Sequence, residues 1–160
     1  MVQVTIEYMI MVPLLIMQIF LFPLAVSWVM NGWVNSRQTI ELQNTASHLG
    51  SQIQQIYFSL NHGTIATGTV TAAMAIPPLI EGYSYNVSGT SRIAPNSNSV
   101  ILDLNLTFMN SLISTTTSVT LGDNSSVSWK SSSFLSNSTA QIQAIKSSNG
   151  TIQMSFIKST

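Results

Sequence analysis

The sequence predicts an α+β fold in which one long N-terminal α-helix, about residues 3–61, precedes an antiparallel β-sandwich or barrel-like C-terminal domain. Three observations predict it. Residues 8–36 contain no Asp, Glu, Lys or Arg. An apolar seam at alternating spacings of four and three follows over residues 42–60, which is typical of a helix with one covered face. From Thr64 onward the chain is rich in Ser, Thr, Asn and Val with period-two alternation, which predicts strands.

The uncharged run is long enough to cross a membrane. At about 1.5 Å per residue, a helix over it exceeds the roughly 30 Å thickness of the hydrocarbon layer. A cleaved secretory signal has a shorter apolar core and ends in small residues, whereas this run ends near the bulky Trp28 and Trp33, so we expect it to be retained. Pro13 and Pro23 each remove one backbone hydrogen bond, and they predict kinks or local loosening without ending the helix.

The polar continuation of the helix carries the apolar seam, which consists of Leu42, Ala46, Leu49, Ile53, Ile56 and Leu60. The strongest interruptions of the helical pattern from the apolar run through the seam are Gly32 and Gly50, so we expect one continuous helix. It is expected to end at about Asn61, with Gly63 as a left-handed cap. The chain therefore divides into a hydrophobic N-terminal helix, residues 1–61, and a β-domain, residues 62–160.

The β-domain is predicted to hold about seven short strands separated by turn formers. They are expected at residues 67–75, 82–88, 102–107, 114–121, 126–132, 140–147 and 152–156. The segment 76–83 contains two prolines and is expected to turn the chain between two strands.

Composition excludes several classes of function. Only 6% of the residues are charged and the net charge is zero, so no basic surface exists to hold nucleic acid. The chain has no cysteine, which removes disulfide scaffolds, thiol catalysis and thiolate metal sites. The remaining titratable residues fall on separate predicted elements without catalytic or metal-ligand spacing, so we expect neither an enzyme nor a metal or cofactor site. These residues are His48, His62, Glu41, Glu81, Asp103 and Asp123.

The first residues carry a family resemblance. Gln3, Thr5, Glu7 and Tyr8 resemble the start of mature archaeal type IV pilins and archaellins. Their class III signal peptide leaves a chain with Gln first, a hydroxyl residue near the third position and Glu, often followed by Tyr, at the fifth. The plan of one long helix carrying a C-terminal β-domain is also similar to that of a pilin. The bulky, Met-rich, proline-containing run favours a pilin over an archaellin.

The resemblance implies a structural subunit of an extracellular archaeal filament with a role in surface adhesion. The subunit would sit in the cytoplasmic membrane before assembly and polymerise through its helix, on which Gln3, Tyr8, Pro13 and Pro23 lie. Glu7 would meet the free α-amino group of a neighbouring subunit and set its register. The partners implied are further copies of the chain, a prepilin peptidase, an assembly ATPase and a polytopic membrane platform.

Alternatives remain open at this point. Glu7 could lie at headgroup depth in an ordinary signal anchor, and the chain could be a single-pass membrane protein or a minor tip pilin whose β-domain binds a partner. An archaellin is the less favoured reading. The mature chain could begin at Gln3 or at Met1: the leader could already be absent from this sequence, the true start could lie upstream of it, or processing could be unusual.

Five N-glycosylation triplets lie in the β-domain and none in the helix. Their acceptors are Asn86, Asn105, Asn124, Asn137 and Asn149. Because the predicted outer surface has few charges, attached glycans would supply hydration that charges do not. We therefore expect extracellular N-linked glycans.

Overall fold

The computed structural model describes the backbone of residues 2–158 and the side chains of residues 9–158. One helix, α1 (Val2–Asn61), precedes eight strands, so the predicted α+β class is confirmed. The chain forms two compact units. We call Met1–Arg37 the N-terminal unit and Gln38–Thr160 the β-unit. The boundary between them falls within α1, and the division predicted after residue 61 stays a prediction.

The eight strands form two four-stranded sheets, with the orders β1-β7-β8-β5 and β4-β3-β2-β6. All neighbours are antiparallel except β5 and β8, which are parallel. The strands are β1 (Gly68–Ala73), β2 (Tyr85–Ile93), β3 (Ser99–Phe108), β4 (Ser114–Asp123), β5 (Val127–Trp129), β6 (Ser132–Leu135), β7 (Ala140–Lys146) and β8 (Ile152–Lys158).

Three strand predictions differ from the structure. Strand β3 begins at Ser99, three residues before the expected start. The single strand expected at 126–132 is two short strands, β5 and β6, which belong to different sheets, because the chain crosses the sandwich there. Trp129 marks the crossing, since its indole Nε1 donates to the Gly89 carbonyl of the opposite sheet at 3.1 Å. Strand β2 starts at Tyr85, later than expected, because Glu81 and Gly82 adopt positive φ angles of 51° and 82° in a tight turn.

The seam of α1 packs against the sandwich, where Gly50 meets the Val119 side chain of β4. Five of its six predicted residues are fully buried, and Ile56 is only partly buried. Tyr57 takes the buried position instead, at 4% exposure. The reason lies in β4, where Gly122 has no side chain and the Tyr57 ring occupies that space. On the same helix, Gln54 Nε2 donates to the Thr120 carbonyl at 3.0 Å.

The end of α1 is capped differently from the prediction. The described glycines with positive φ are Gly82 and Gly150, so a left-handed conformation at Gly63 is wrong. Two carbonyls at the end of α1 are instead bonded by a side chain from β7. Lys146 Nζ donates to the Leu60 carbonyl at 2.7 Å and to the His62 carbonyl at 3.3 Å. An ammonium group supplies both donors and a positive charge at the negative end of the helix dipole.

Replacing Lys146 with Met should destabilise the fold by about 1–3 kcal/mol, because the buried Leu60 carbonyl at the end of α1 loses this donor. The measurement is the free energy of unfolding from denaturant titration of the purified chain. Lys130→Met is the matched control, since the Lys130 side chain is exposed. Equal stability of the two variants would show that the Lys146 bonds contribute nothing.

Candidate functional site

The N-terminal unit presents an apolar surface without a partner in the described structure. Every large apolar side chain from Met9 to Val34 is at least 39% exposed, and Trp28 reaches 80%. An 18-residue window of this part of α1 has a mean hydropathy of 2.4, and none of it is buried. A helix that is apolar on all sides is stable only inside a membrane or a packed bundle. The helix is therefore compatible with membrane insertion, by length and composition.

The two prolines lie inside α1 and do not end it, as predicted. Pro23 has no N–H to donate to the Ile19 carbonyl, four residues earlier. Pro23 and Ile19 line a groove of about 360 Å³ together with Leu15, Gln18 and Phe22. Gln18 is the polar member of this face, and an amide side chain in an apolar surface gains most from a hydrogen bond to a neighbouring helix. The groove is thus suited to receive a packing side chain from another helix.

The residues that carry the family resemblance lie at the start of α1. The backbone of Gln3, Thr5, Glu7 and Tyr8 is helical, but their side chains lie outside the described part of the structure. The predicted contact of Glu7 with a neighbouring subunit therefore stays a prediction.

The five glycosylation triplets lie at two kinds of place. Asn86 and Asn105 are on adjacent strands of one sheet, whereas Asn124, Asn137 and Asn149 lie in turns. Asn86 is partly buried, and the other four are exposed. In the β2–β3 register Asn86 is opposite Thr107 and Ser88 is opposite Asn105. The two strand triplets therefore pair directly, and sugars on both would compete for the same space.

The Asn149 triplet is held by its own hydrogen bonds. Asn149 Oδ1 accepts from the backbone N–H of Thr151 at 3.1 Å and from its hydroxyl at 2.7 Å. These bonds fix the asparagine and the hydroxyl of the triplet side by side in an exposed turn. Because Gly150 supplies a positive φ of 84° between them, the turn forms without steric cost.

The outer face of the β4-β3-β2-β6 sheet carries one charged network. Arg92 Nε donates to Asp103 Oδ2 at 2.7 Å, and the Ser118 hydroxyl donates to Asp103 Oδ1 at 2.6 Å. Partial burial raises the pKa of Asp103, but the bonds from Ser118 and Arg92 outweigh it and hold the pKa below its usual range. Arg92 is half exposed, and a pair of this kind contributes little to stability. Both carboxylate oxygens of Asp103 already accept a hydrogen bond within the sheet, which favours a structural role for this network.

The titratable side chains of residues 9–158 are dispersed. No three His, Asp or Glu side chains of this part lie close enough to hold a metal ion. His62 Nδ1 is 3.0 Å from the Thr64 hydroxyl in an exposed turn. A cavity of about 370 Å³ lies between α1 and β1 and is lined mainly by apolar residues. Gln52 lines it, and its buried Oε1 has no hydrogen-bond partner among the described residues. Sequence reasoning missed this cavity, because it forms only where the helix meets the sheet.

Tyr85 makes the stability of the β-unit depend on alkaline pH. Its hydroxyl donates to the Pro77 carbonyl at 2.6 Å, and burial raises the pKa of Tyr85 to about 12. The folded pKa thus lies above the unfolded value of about 10. The contribution of Tyr85 is therefore fully present below pH of about 10 and is lost as the pH rises from about 10 to about 12.

Replacing Tyr85 with Phe should lower the free energy of unfolding at pH 8 by about 0.5–1.5 kcal/mol, because the hydrogen bond to Pro77 is lost. The difference from the unchanged chain should then shrink between pH 10 and 12 and change sign, because the unchanged chain loses up to about 1.4 kcal/mol per pH unit over this range. Urea unfolding at several pH values checks this. Tyr83→Phe, at a half-exposed ring, is the control. A constant difference across this range would contradict the assignment.

Comparison with protein families, with curated proteins and with solved structures finds no match. The class that the structure itself defines is a long helix with an unpartnered apolar N-terminal part, continuous with the seam helix of a two-sheet sandwich. That description is one of architecture.

Proposed function

We propose that the chain is the structural subunit of an extracellular type IV pilus-like filament that serves in surface adhesion. The observation that carries this is the exposed apolar surface of residues 9–34. A membrane anchor needs apolar residues of about this length, but it has no need of an acid at the head of the run. The resemblance of Gln3, Glu7 and Tyr8 to pilin starts supplies a reason for that acid.

The proposed subunit uses its helix in two environments in turn. Before assembly, residues 9–34 lie in lipid, where their apolar side chains face hydrocarbon. After assembly, the same side chains pack against helices of neighbouring copies, and grooves such as the one beside Pro23 receive their side chains. Pro13 and Pro23 are tolerated in this helix, because neighbouring helices or local readjustment satisfy the backbone groups that prolines leave free. The β-units then cover the outside of the filament.

Assembly by this route requires proteins that the chain does not contain. By resemblance to pilins, they are a prepilin peptidase, an assembly ATPase and a membrane platform. Neither a cofactor nor nucleic acid has a part in the proposal.

Fractionation of cells tests the proposal against a simple anchor. Filaments sheared from the cell surface should be built mainly of this chain. A single-pass anchor would stay with the membrane fraction after shearing, and a minor tip pilin would be present only in trace amounts in filaments of another protein. Either result would contradict the proposal.

We further propose that the β-unit carries N-linked glycans. The exposed triplet at Asn149 is the best-defined acceptor site, because the Thr151 hydroxyl is already hydrogen-bonded to the Asn149 side chain. Intact-mass spectrometry of purified protein should give a mass above that of the sequence. Asn149→Gln should lower it by one glycan, and Asn110→Gln, at an exposed asparagine outside any triplet, should not. A native mass equal to the sequence mass would refute glycosylation.

A further inference from the structure

Four apolar side chains form an exposed cluster on the β-unit. Leu79, Tyr83, Met109 and Leu112 are exposed by 50%, 48%, 56% and 103%, and we call them the base cluster. The segments that carry them contact each other. The Met109 N–H donates to the Ser84 carbonyl at 3.2 Å, and the Tyr83 ring lies edge-on to Phe108 with 6.3 Å between centroids. Water contact at this many large apolar groups is unfavourable, and such patches mark interaction sites.

The base cluster lies at the end of the β-unit that contains its first residue, Gln38. We call this end the base. Helix α1 and strand β4 run in the same direction, since Gly50 packs on Val119 and Tyr57 packs at Gly122. Gln38 lies twelve residues before Gly50, or about 18 Å along a helix. The start of β4 at Ser114 lies five residues before Val119, or about 16 Å along a strand. The β3–β4 turn that carries Leu112 is thus level with the first residues of the β-unit.

The turns at the opposite end have a different composition. Three of them span residues 94–98, 123–126 and 147–151, and apart from Ala94 these contain only Pro, Gly, Ser, Thr, Asn and Asp. The connection from α1 to β1 at this end adds Ile65, which is 36% exposed. Both ends of the sandwich have to connect strands, so turn formation does not explain the apolar residues of the base. The large exposed side chains of Leu79, Met109 and Leu112 therefore have no counterpart in these three turns, although the β6–β7 turn at the base, residues 136–139, is itself polar.

Backbone strain also lies at the base. Glu81 is the one residue other than glycine with positive φ among the described residues. It forms a tight turn with Gly82, in which Ile80 and Tyr83 exchange backbone hydrogen bonds of 3.0 and 2.9 Å. Strained backbone of this kind is concentrated at functional sites. The turn holds Leu79 and Tyr83 on either side of an exposed carboxyl group. A charge at the tip suits the headgroup layer and not the hydrocarbon.

The length of chain between the two units limits what the base can reach. Trp33 belongs to the apolar run, and Gln38 begins the β-unit five residues later. Five residues span at most about 18 Å even when fully extended. If residues 9–34 cross a bilayer, the base is therefore held near the headgroup layer, whatever the orientation of the β-unit. Tyr and Leu side chains are favoured at that depth.

We propose that the base cluster inserts into the headgroup region of the membrane and holds the β-unit on the bilayer before assembly. The cluster is a protrusion, and its tip, Leu112, has no protein neighbour covering it. A protruding apolar turn suits a soft lipid surface. This inference rests on the membrane-inserted stage of the proposed function.

The absence of cysteine makes a direct test possible in the full chain. Three variants, Leu112→Cys, Ser148→Cys and Ile19→Cys, each receive one environment-sensitive fluorophore and are reconstituted into phosphatidylcholine vesicles. Iodide reports access from water, and lipids with a nitroxide near the headgroup report contact with the bilayer. Ser148, in an exposed turn at the polar end, is the matched control. Ile19 reports the insertion of the helix itself.

The label at 112 should be several-fold less accessible to iodide than the label at 148, and the nitroxide lipid should quench it. Changing Leu79 and Met109 to Ser in the same chain should reduce that quenching. If the label at 112 behaves like the label at 148 while the label at 19 is protected, the inference is wrong and membrane insertion stands. Protection at 112 without nitroxide quenching would mean contact with a second copy, which also overturns it. Iodide access at 19 would overturn both the inference and the membrane stage of the proposed function.

Discussion

Replacing Glu7 with Gln should leave membrane insertion intact and abolish or sharply reduce filaments. A carboxylate on a lipid-exposed helix costs roughly 2.5 kcal/mol or more near the bilayer centre, so neutralising it does not impair insertion. In the proposed filament the same charge faces the α-amino group of a neighbouring subunit. That partner is present only when a subunit docks in one register, whereas apolar packing alone accepts several. Gln keeps the shape of the side chain and removes the charge that selects the register.

The filament yield after shearing, compared with the amount of chain in the membrane fraction, measures this effect. Glu41→Gln is the matched control, because Glu41 is an exposed acid on the same helix within the β-unit. It should leave the yield unchanged. A normal filament yield from Glu7→Gln would show that the carboxylate sets no register.

Replacing Gly122 with Ala should destabilise the β-unit by about 1–3 kcal/mol, in the range of overpacked cores. A Cβ at Gly122 would overlap the hydroxyl of Tyr57 and approach its Cζ to 2.7 Å. Neither side yields easily, since Tyr57 is 4% exposed and Asp123, beside Gly122, is paired to Ser99 of β3. The helix must therefore shift from β4, which loosens the seam.

The midpoint of denaturant unfolding measures the effect of Gly122→Ala. Gly63→Ala is the control, because a Cβ there meets no atom within 4 Å and the residue has no positive φ. Adding Tyr57→Phe to Gly122→Ala should recover part of the loss, since it removes the overlapping hydroxyl. An unchanged midpoint for Gly122→Ala would contradict the packing of α1 on β4.

Local patterns were enough to predict the course of the helix and most strands. The seam from Leu42 to Leu60 was visible because helical spacing repeats along one element. The exchange of Ile56 for Tyr57 was not visible, since it depends on Gly122, which lies 65 residues away from Tyr57. The same holds for the cap at Leu60, where Lys146 of a distant strand replaces the expected glycine conformation.

The candidate sites show the same limit. The apolar run and the five triplets are properties of neighbouring residues, so the sequence displays them directly. The pairing of the Asn86 and Asn105 triplets is set by the register of β2 and β3, and the base cluster arises where separate turns meet. Register and the meeting of turns depend on the whole sandwich, which no local pattern specifies.

Cryo-electron microscopy of filaments sheared from the cell surface tests the central claim most directly. The proposal predicts that this chain is the repeating subunit, with residues 9–34 of many copies packed in the core and the β-units outside. The Glu7 carboxylate should lie within hydrogen-bonding distance of the α-amino group of a neighbouring copy. Filaments built from another protein, with this chain left in the membrane, would contradict the account.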